Sequence, residues 1–155
     1  MHSFLIFFHS IFRWIILLVM LFGVYSILNS RFESGKFNKL DEKLRKYIMM
    51  LAHIQLIVGI GLYAISPDVS YFWSNFKTSV HTKALRYFAM EHAFLMLLSI
   101  LIITAGAIVT KRQKTDEGKI KIQLIWLVLA LLVIFLSIPW PFLPFSIPRP
   151  YFRGF

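Results

Sequence analysis

The chain has 155 residues, of which 58% are hydrophobic and 17% aromatic, and its formal net charge is +10. This apolar fraction exceeds what a soluble domain of this length can bury, so the composition predicts an integral membrane protein. The chain contains no cysteine, which excludes disulfides, thiolate metal sites, iron–sulfur clusters and covalently attached haem. Any redox cofactor must therefore be held without a covalent bond to the chain.

Four apolar segments are each long enough to cross a membrane, because about 20 helical residues span a hydrocarbon core of roughly 30 Å. Hydropathy places them at Phe4 to Leu28, Leu44 to Ile65, Ala84 to Thr110 and Ile120 to Ile138. We interpret the first as a retained span, because Arg13 lies inside it and no basic region precedes it. The sequence therefore predicts a single all-α domain over residues 1–155, an up-down bundle of four transmembrane helices.

The positive charges are concentrated in two short loops, between spans one and two and between spans three and four. These loops hold 11 of the 17 Lys and Arg residues. Positive loops stay on the cytoplasmic side, so we expect both termini and the connection from Ser66 to Lys83 outside. Such charge is ordinary for a membrane protein, so the expected partner is the lipid bilayer and not nucleic acid.

Local signals mark the ends of the helices. Asn38 or Asp41 is expected to cap the second helix early, and Ser66 with Pro67 is expected to end it. The connection that follows contains an aromatic cluster expected at the outer membrane surface, formed by Tyr71, Phe72, Trp73 and Phe76. Residues 139–155 hold five of the six prolines and predict an extended tail, either an interfacial strap or a docking strap for a partner.

Few ionisable residues lie deep within the spans, and three helices share them: His9, Arg13, His53, Glu91 and His92. Such groups are costly in lipid, so they usually face the bundle interior or a cavity. Counting from the outer helix ends puts His9 about 8 Å, His92 about 12 Å and His53 about 18 Å deep. The depths of His9 and His92 match better than those of His53 and His92, without excluding the second pair.

His9 and His92 are the preferred axial ligands of a haem b. The first and third helices of an up-down bundle are diagonal neighbours, so a flat haem can stand between them with one imidazole on each side. One face of the third helix carries Ala89, His92, Met96, Ser99 and Gly106, and its small residues leave room for a macrocycle. Gly106 alone fits close helix packing equally well.

Arg13 lies one turn inward of His9 and requires a partner at that depth. The partner is Glu91 or a carboxylate of a cofactor, and a pair with Glu91 would also tie the first helix to the third. Lys83 and Arg86 lie nearer the outer surface. They suit outward-pointing haem propionates, or they extend to lipid headgroups as such side chains commonly do.

His53 has three open interpretations. It can line a quinone pocket, act as an alternative haem ligand, or hydrogen-bond across helices. No nucleophile–base motif, phosphate loop or metalloprotease motif occurs in the chain, so hydrolase chemistry has no support.

Four stretches spread along the chain, HSIFRW, KLDEKLRKYIMMLAHIQLIVGIGLY, KALRYFAMEH and IPWPF, resemble a family of small four-helix bacterial integral membrane proteins labelled cytochrome b-like. The resemblance implies a multi-pass protein of the bacterial inner membrane with a b-type haem held by matching histidines such as His9, His53 and His92. Two functions follow. The first is a haem electron carrier between the membrane quinol pool and a partner. The second is an accessory or structural subunit of a larger membrane complex that has no cofactor.

Overall fold

The structure is a computed structural model that describes residues 2–138 and Trp140, which form helices joined by short connections, with no strand among them. The helices are α1 (His2–Asn29), α2 (Lys39–Ile65), α3 (Pro67–Ser74), α4 (Phe76–Ser79), α5 (Lys83–Arg86), α6 (His92–Arg112) and α7 (Asp116–Ser137). A π-helical turn, Ser30–Ser34, continues α1, and a second, Tyr87–Glu91, joins α5 to α6. Apart from Trp140, the predicted tail over residues 139–155 lies outside the described residues.

Four helical stretches are long and apolar enough to cross a membrane, which confirms the predicted spans: α1, α2, the continuous stretch from α5 to α6, and α7. Each turns large apolar side chains outward, and Leu18, Ile57, Leu101 and Leu136 are all more than half exposed. Water disfavours an apolar surface of this extent, whereas lipid tails accept it. The chain is therefore an all-α membrane protein with four helices that can span the bilayer.

The four long helices form a ring. Contacts run from α1 to α2, from α2 to α6, from α6 to α7 and from α7 back to α1. This order makes α1 and α6 diagonal neighbours, as predicted. Between them lies a core of almost fully buried side chains that includes Met20, Ile27, Ile48, Ile103 and Leu127. The first four lie in the half of the bundle next to the basic loops, and Leu127 lies at the middle of α7.

The second helix starts early, as the sequence predicted. The Asn38 side chain accepts hydrogen bonds from the backbone amides of Leu40 and Asp41, and the Asp41 carboxylate accepts one from the Asn38 amide. These reciprocal bonds form a capping box, which satisfies amides that the first helical turn leaves open. At its other end α2 stops at Ile65, also as predicted.

The outer connection differs from the expectation at one aromatic residue. The connection folds into the short helices α3 and α4, and α3 turns one face inward. On that face Val69 and Phe72 pack against Ala89, and Phe72 is completely buried. The prediction that Phe72 lies at the membrane surface is therefore wrong. The other three aromatic residues of the cluster are exposed: Tyr71, Trp73 and Phe76.

Gly106 lies where α6 approaches α7 most closely. A Cβ atom added to Gly106 would overlap the side chain of Trp126, which is 3% exposed. The Trp126 indole N–H in turn donates to the Thr110 hydroxyl at 3.1 Å. Close helix packing is therefore the role of Gly106, and the interpretation that it makes room for a macrocycle is wrong.

Gly106→Ala is expected to destabilise the bundle, because the added methyl must displace Trp126 or push α6 away from α7. Overpacking of this kind costs about 1–3 kcal/mol. Gly61→Ala is the matched control, since nothing lies within 4 Å of a Cβ atom there. Thermal unfolding of the purified protein in detergent, followed by helical circular dichroism, measures both. Equal unfolding temperatures for the two variants would contradict the packing role.

Candidate functional site

His9 of α1 and His92 of α6 meet across the diagonal of the bundle. Their ring centres are 6.4 Å apart and their planes are inclined by 71°. Both side chains are half-buried. The structure thus brings together the pair that depth counting ranked first.

A backbone carbonyl at the end of α7 orients His92. The Nδ1–H of His92 donates to the carbonyl oxygen of Ser137 at 3.0 Å, and the Tyr87 hydroxyl donates to the same oxygen. Ser137 is the last residue of α7, where helical carbonyls have no partner further along the helix. Because a carbonyl only accepts, Nδ1 carries a proton, and in the neutral imidazole Nε2 then has a lone pair available.

The π-helical turn Tyr87–Glu91 directly precedes His92. A π turn holds more residues than an α-helical turn, so it changes which side chains share a face across it, and such turns are frequent at functional sites. Helical periodicity placed Ala89 on the face of His92, but Ala89 instead packs against Val69 and Phe72. That part of the predicted face is therefore wrong.

His9 is positioned by its neighbours on α2. The Gln55 side-chain amide donates to the backbone carbonyl of His9 at 2.9 Å, which ties α2 to α1. The position that a Cβ atom of Gly59 would occupy lies 3.6 Å from Cε1 of the His9 ring. The Nδ1 atom of His9 is buried, and no described residue hydrogen-bonds to it. A buried polar atom without a partner is costly, so a bound group that offers a partner would be stabilised there.

Burial differs between the two ends of three of the four spans. Residues 3–15 of α1, 53–65 of α2 and 90–98 of the third span include no buried side chain. Next to the basic loops, the same helices bury Met20, Ile48 and Ile103 almost completely. The fourth helix differs, because its outer end is packed: Ala130 and Ser137 are completely buried, and Tyr87, which contacts Ser137, is 6% exposed.

Glu91, the predicted acidic partner of Arg13, instead forms an ion pair with Arg86. Nε of Arg86 lies 2.7 Å from the Glu91 carboxylate, and Nη1 of Arg86 donates to the Val80 carbonyl at 3.0 Å. The predicted pair between Arg13 and Glu91 is therefore wrong, because the turn before His92 directs Glu91 to the outer rim. The Arg13 guanidinium carbon lies 5.4 Å from the ring centre of Trp14.

The His53 ring lies between α2 and α6, as expected if it only contacts neighbouring helices. Its Nδ1 hydrogen-bonds to the Met49 carbonyl at 2.7 Å, within α2. Its Nε2 lies 3.4 Å from the Thr104 hydroxyl of α6. The Thr104 hydroxyl already donates its proton to the Ile100 carbonyl at 2.7 Å, so in a neutral His53 only Nδ1 has a hydrogen-bond partner in the described part of the chain. Among the described residues, His53 has no ring contact with His9 or His92.

Three further residues support the site and were not among the predicted residues. Gln55 contacts His9, whereas Tyr87 and Ser137 position His92. Gln55 had a detectable signal, since it is an amide inside an apolar span. Ser137 acts through its backbone carbonyl, which every residue carries, so no residue type marks it.

Comparisons of the chain with models of known families, with characterised proteins and with solved structures found no match. The chemistry of the ligand set therefore guides the interpretation. The described residues contain no group of three or more His, Asp or Glu side chains suited to one metal ion. Zinc sites use three or four protein ligands, whereas a haem iron takes only one or two.

Proposed function

We propose that this protein is a b-type haem-binding electron carrier of the membrane, with His9 and His92 as the axial ligands. The spacing of the two rings carries the proposal. Imidazoles bound about 2 Å from each side of an iron have ring centres roughly 6 Å apart, and the two rings here are 6.4 Å apart. A bound haem would supply reversible one-electron exchange at its iron.

The residues around His9 and His92 have roles that support the proposed haem. The Ser137 carbonyl holds the proton of His92 on Nδ1, as the outer partner of a metal-binding histidine commonly does. Tyr87 donates to the same carbonyl and restricts its position. Arg13, one turn inward of His9, contributes a positive charge that favours an anionic group nearby. Arg86 is already engaged by Glu91, so it would contribute less to holding a propionate than the sequence predicted.

The proposal extends to location and partners. A multi-pass carrier of this kind belongs in the bacterial inner membrane, where quinol is an available reductant and a larger membrane complex is a suitable acceptor. The lipid-exposed apolar faces of all four spans support contact with a membrane-dissolved donor.

An absorption spectrum tests the proposed function. The full chain, produced with an adequate haem supply and purified in detergent, is expected to show a Soret band and a change on dithionite reduction that reoxidation reverses. Haem assay against protein concentration should give about one haem per chain, as one histidine pair predicts. A colourless protein that also fails to take up added haem would contradict the proposal. The accessory-subunit function, without a cofactor, would then be favoured.

The proposed orientation can be tested because the chain has no native cysteine. Lys36→Cys and Lys77→Cys place single thiols at exposed positions, in the first basic loop and in the outer connection. With the basic loops inside, a membrane-impermeant maleimide should label intact cells at position 77 only. Permeabilised cells should label at both positions, which controls for accessibility. Labelling of position 36 in intact cells would reverse the orientation.

A further inference from the structure

A groove of about 610 Å³ opens between α2 and α6 at the basic end of the bundle. The two histidines lie at the opposite end. The groove is lined by Arg45, Lys46, Met49, Ile108, Lys111 and Arg112. We call it the α2–α6 basic groove. Four of its six lining residues are cations, and two are apolar.

The wall of the groove is built around a buried arginine. Arg45 is 3% exposed, and its Nη1 donates to the Ala107 carbonyl of α6 at 3.0 Å. Its other two nitrogens donate to the Glu42 carboxylate at 2.9 and 2.6 Å. The same carboxylate lies 3.2 Å from Nζ of Lys46. These contacts join α2 to α6 and hold the wall in one arrangement.

The charge of the groove is not balanced by the protein. Glu42 forms ion pairs with both Arg45 and Lys46. Lys111 and Arg112 have no acidic partner within 4 Å among the described residues. The rim is therefore complementary to an anion. Basic pockets between transmembrane helices are a common site for anionic headgroups.

The polarity of the groove changes with depth. Met49 lies one helical turn from Arg45 and Lys46 toward the bundle centre, and Ile108 lies one turn inward of Lys111. Ile108 is 43% exposed, so the apolar floor is accessible. Cations at the rim above an apolar floor match a molecule with an anionic head and a hydrocarbon chain.

We propose that the α2–α6 basic groove binds an anionic phospholipid, with its phosphate against Lys46, Lys111 and Arg112 and its acyl chain on Met49 and Ile108. The apolar floor favours a lipid over a soluble phosphate, which would gain nothing from it. The lipid holds α2 and α6 together at this end of the bundle. This site does not depend on the proposed haem or on which side of the membrane the groove faces.

Native mass spectrometry of the full chain in detergent tests the proposal, with phosphatidylglycerol and phosphatidylcholine as probes. Wild-type protein should retain phosphatidylglycerol at least about tenfold better, because each basic residue near an anionic headgroup adds severalfold to the affinity. Equal retention of the two lipids would overturn the site. Displacement of phosphatidylglycerol by millimolar inorganic phosphate would overturn the choice of a lipid.

Two triple variants separate a built groove from general surface charge. Lys46→Gln, Lys111→Gln and Arg112→Gln together should remove most of the preference for phosphatidylglycerol. The control combines Arg31→Gln, Lys36→Gln and Lys114→Gln, which removes the same charge from exposed loop positions outside the groove and should keep the preference. Equal losses in the two triples would contradict the groove. Helical circular dichroism of the Gln triple checks that it is folded. Lys111→Arg with Arg112→Lys, which conserves the charge, should retain the lipid.

Discussion

His9→Ala or His92→Ala is expected to abolish the haem spectrum or to convert it from a six-coordinate to a five-coordinate form. Each change removes one of the two imidazoles whose ring centres lie 6.4 Å apart, and no other described histidine has a ring contact with the pair. His53→Ala should largely preserve the spectrum, because Nδ1 of His53 donates to the Met49 carbonyl within α2 and its ring lies beside Thr104 of α6, not beside the pair. Reduced-minus-oxidised spectra of the three purified variants measure the difference.

Added imidazole distinguishes a ligand from a residue that only supports the fold. In His9→Ala and His92→Ala protein, millimolar imidazole should restore the six-coordinate spectrum, since it can occupy the place of the missing side chain. Helical circular dichroism confirms that each variant is folded. If His53→Ala loses the spectrum while the other two keep it, the assignment to His9 and His92 is wrong and His53 becomes the ligand. If all three keep it, neither assignment holds.

Asp41→Ala is expected to destabilise the bundle by roughly 2–4 kcal/mol, through lost hydrogen bonds to a buried charge and a lost helix cap. Asp41 is completely buried. Its carboxylate accepts from the hydroxyls of Ser26 and Ser30 at 2.6 Å each and from the amide of Asn38 at 3.1 Å. Alanine would leave these three donors without their acceptor. Thermal unfolding in detergent is the measurement.

Asp116→Ala is the matched control for Asp41→Ala. Asp116 also lies in the first turn of a long helix, so both changes remove a negative charge that favours the helix dipole by about 0.3–1 kcal/mol. The Asp116 side chain is 46% exposed, and its ion pair with Nζ of Lys119 is long, at 3.9 Å. Its removal therefore costs little beyond the charge. A similar drop in unfolding temperature for both variants would show that the buried network adds nothing. Asp41→Asn, which keeps one oxygen acceptor, should fall between wild type and Asp41→Ala.

Asp41 also shows how far a local pattern reaches. The sequence predicted that Asn38 or Asp41 caps α2, because Asn and Asp are preferred at the start of a helix. Its second role, binding Ser26 and Ser30 at the end of α1, depends on how α1 packs against α2. The Gln123 side chain of α7 adds a contact to the Asp41 backbone carbonyl at 3.1 Å. No sequence period links residues 82 positions apart.

The four spans and the first-ranked histidine pair could be predicted from the sequence because both follow from local quantities. Hydropathy over about 20 residues identifies a span. A fixed rise per residue converts a position in the chain into a depth in the membrane, which is why His9 and His92 were ranked together. Whether the two rings bind a haem is a separate question, which the experiments above address.

Tertiary structure decided the residues that position the pair. Counting along an ideal helix cannot anticipate the π-helical turn Tyr87–Glu91, which breaks the 3.6-residue period immediately before His92. The same turn directs Glu91 to Arg86 instead of Arg13. The Ser137 carbonyl becomes available to His92 only because α7 ends beside the start of α6. Composition and spacing describe one helix at a time, whereas the partner of each polar group depends on where a different helix ends.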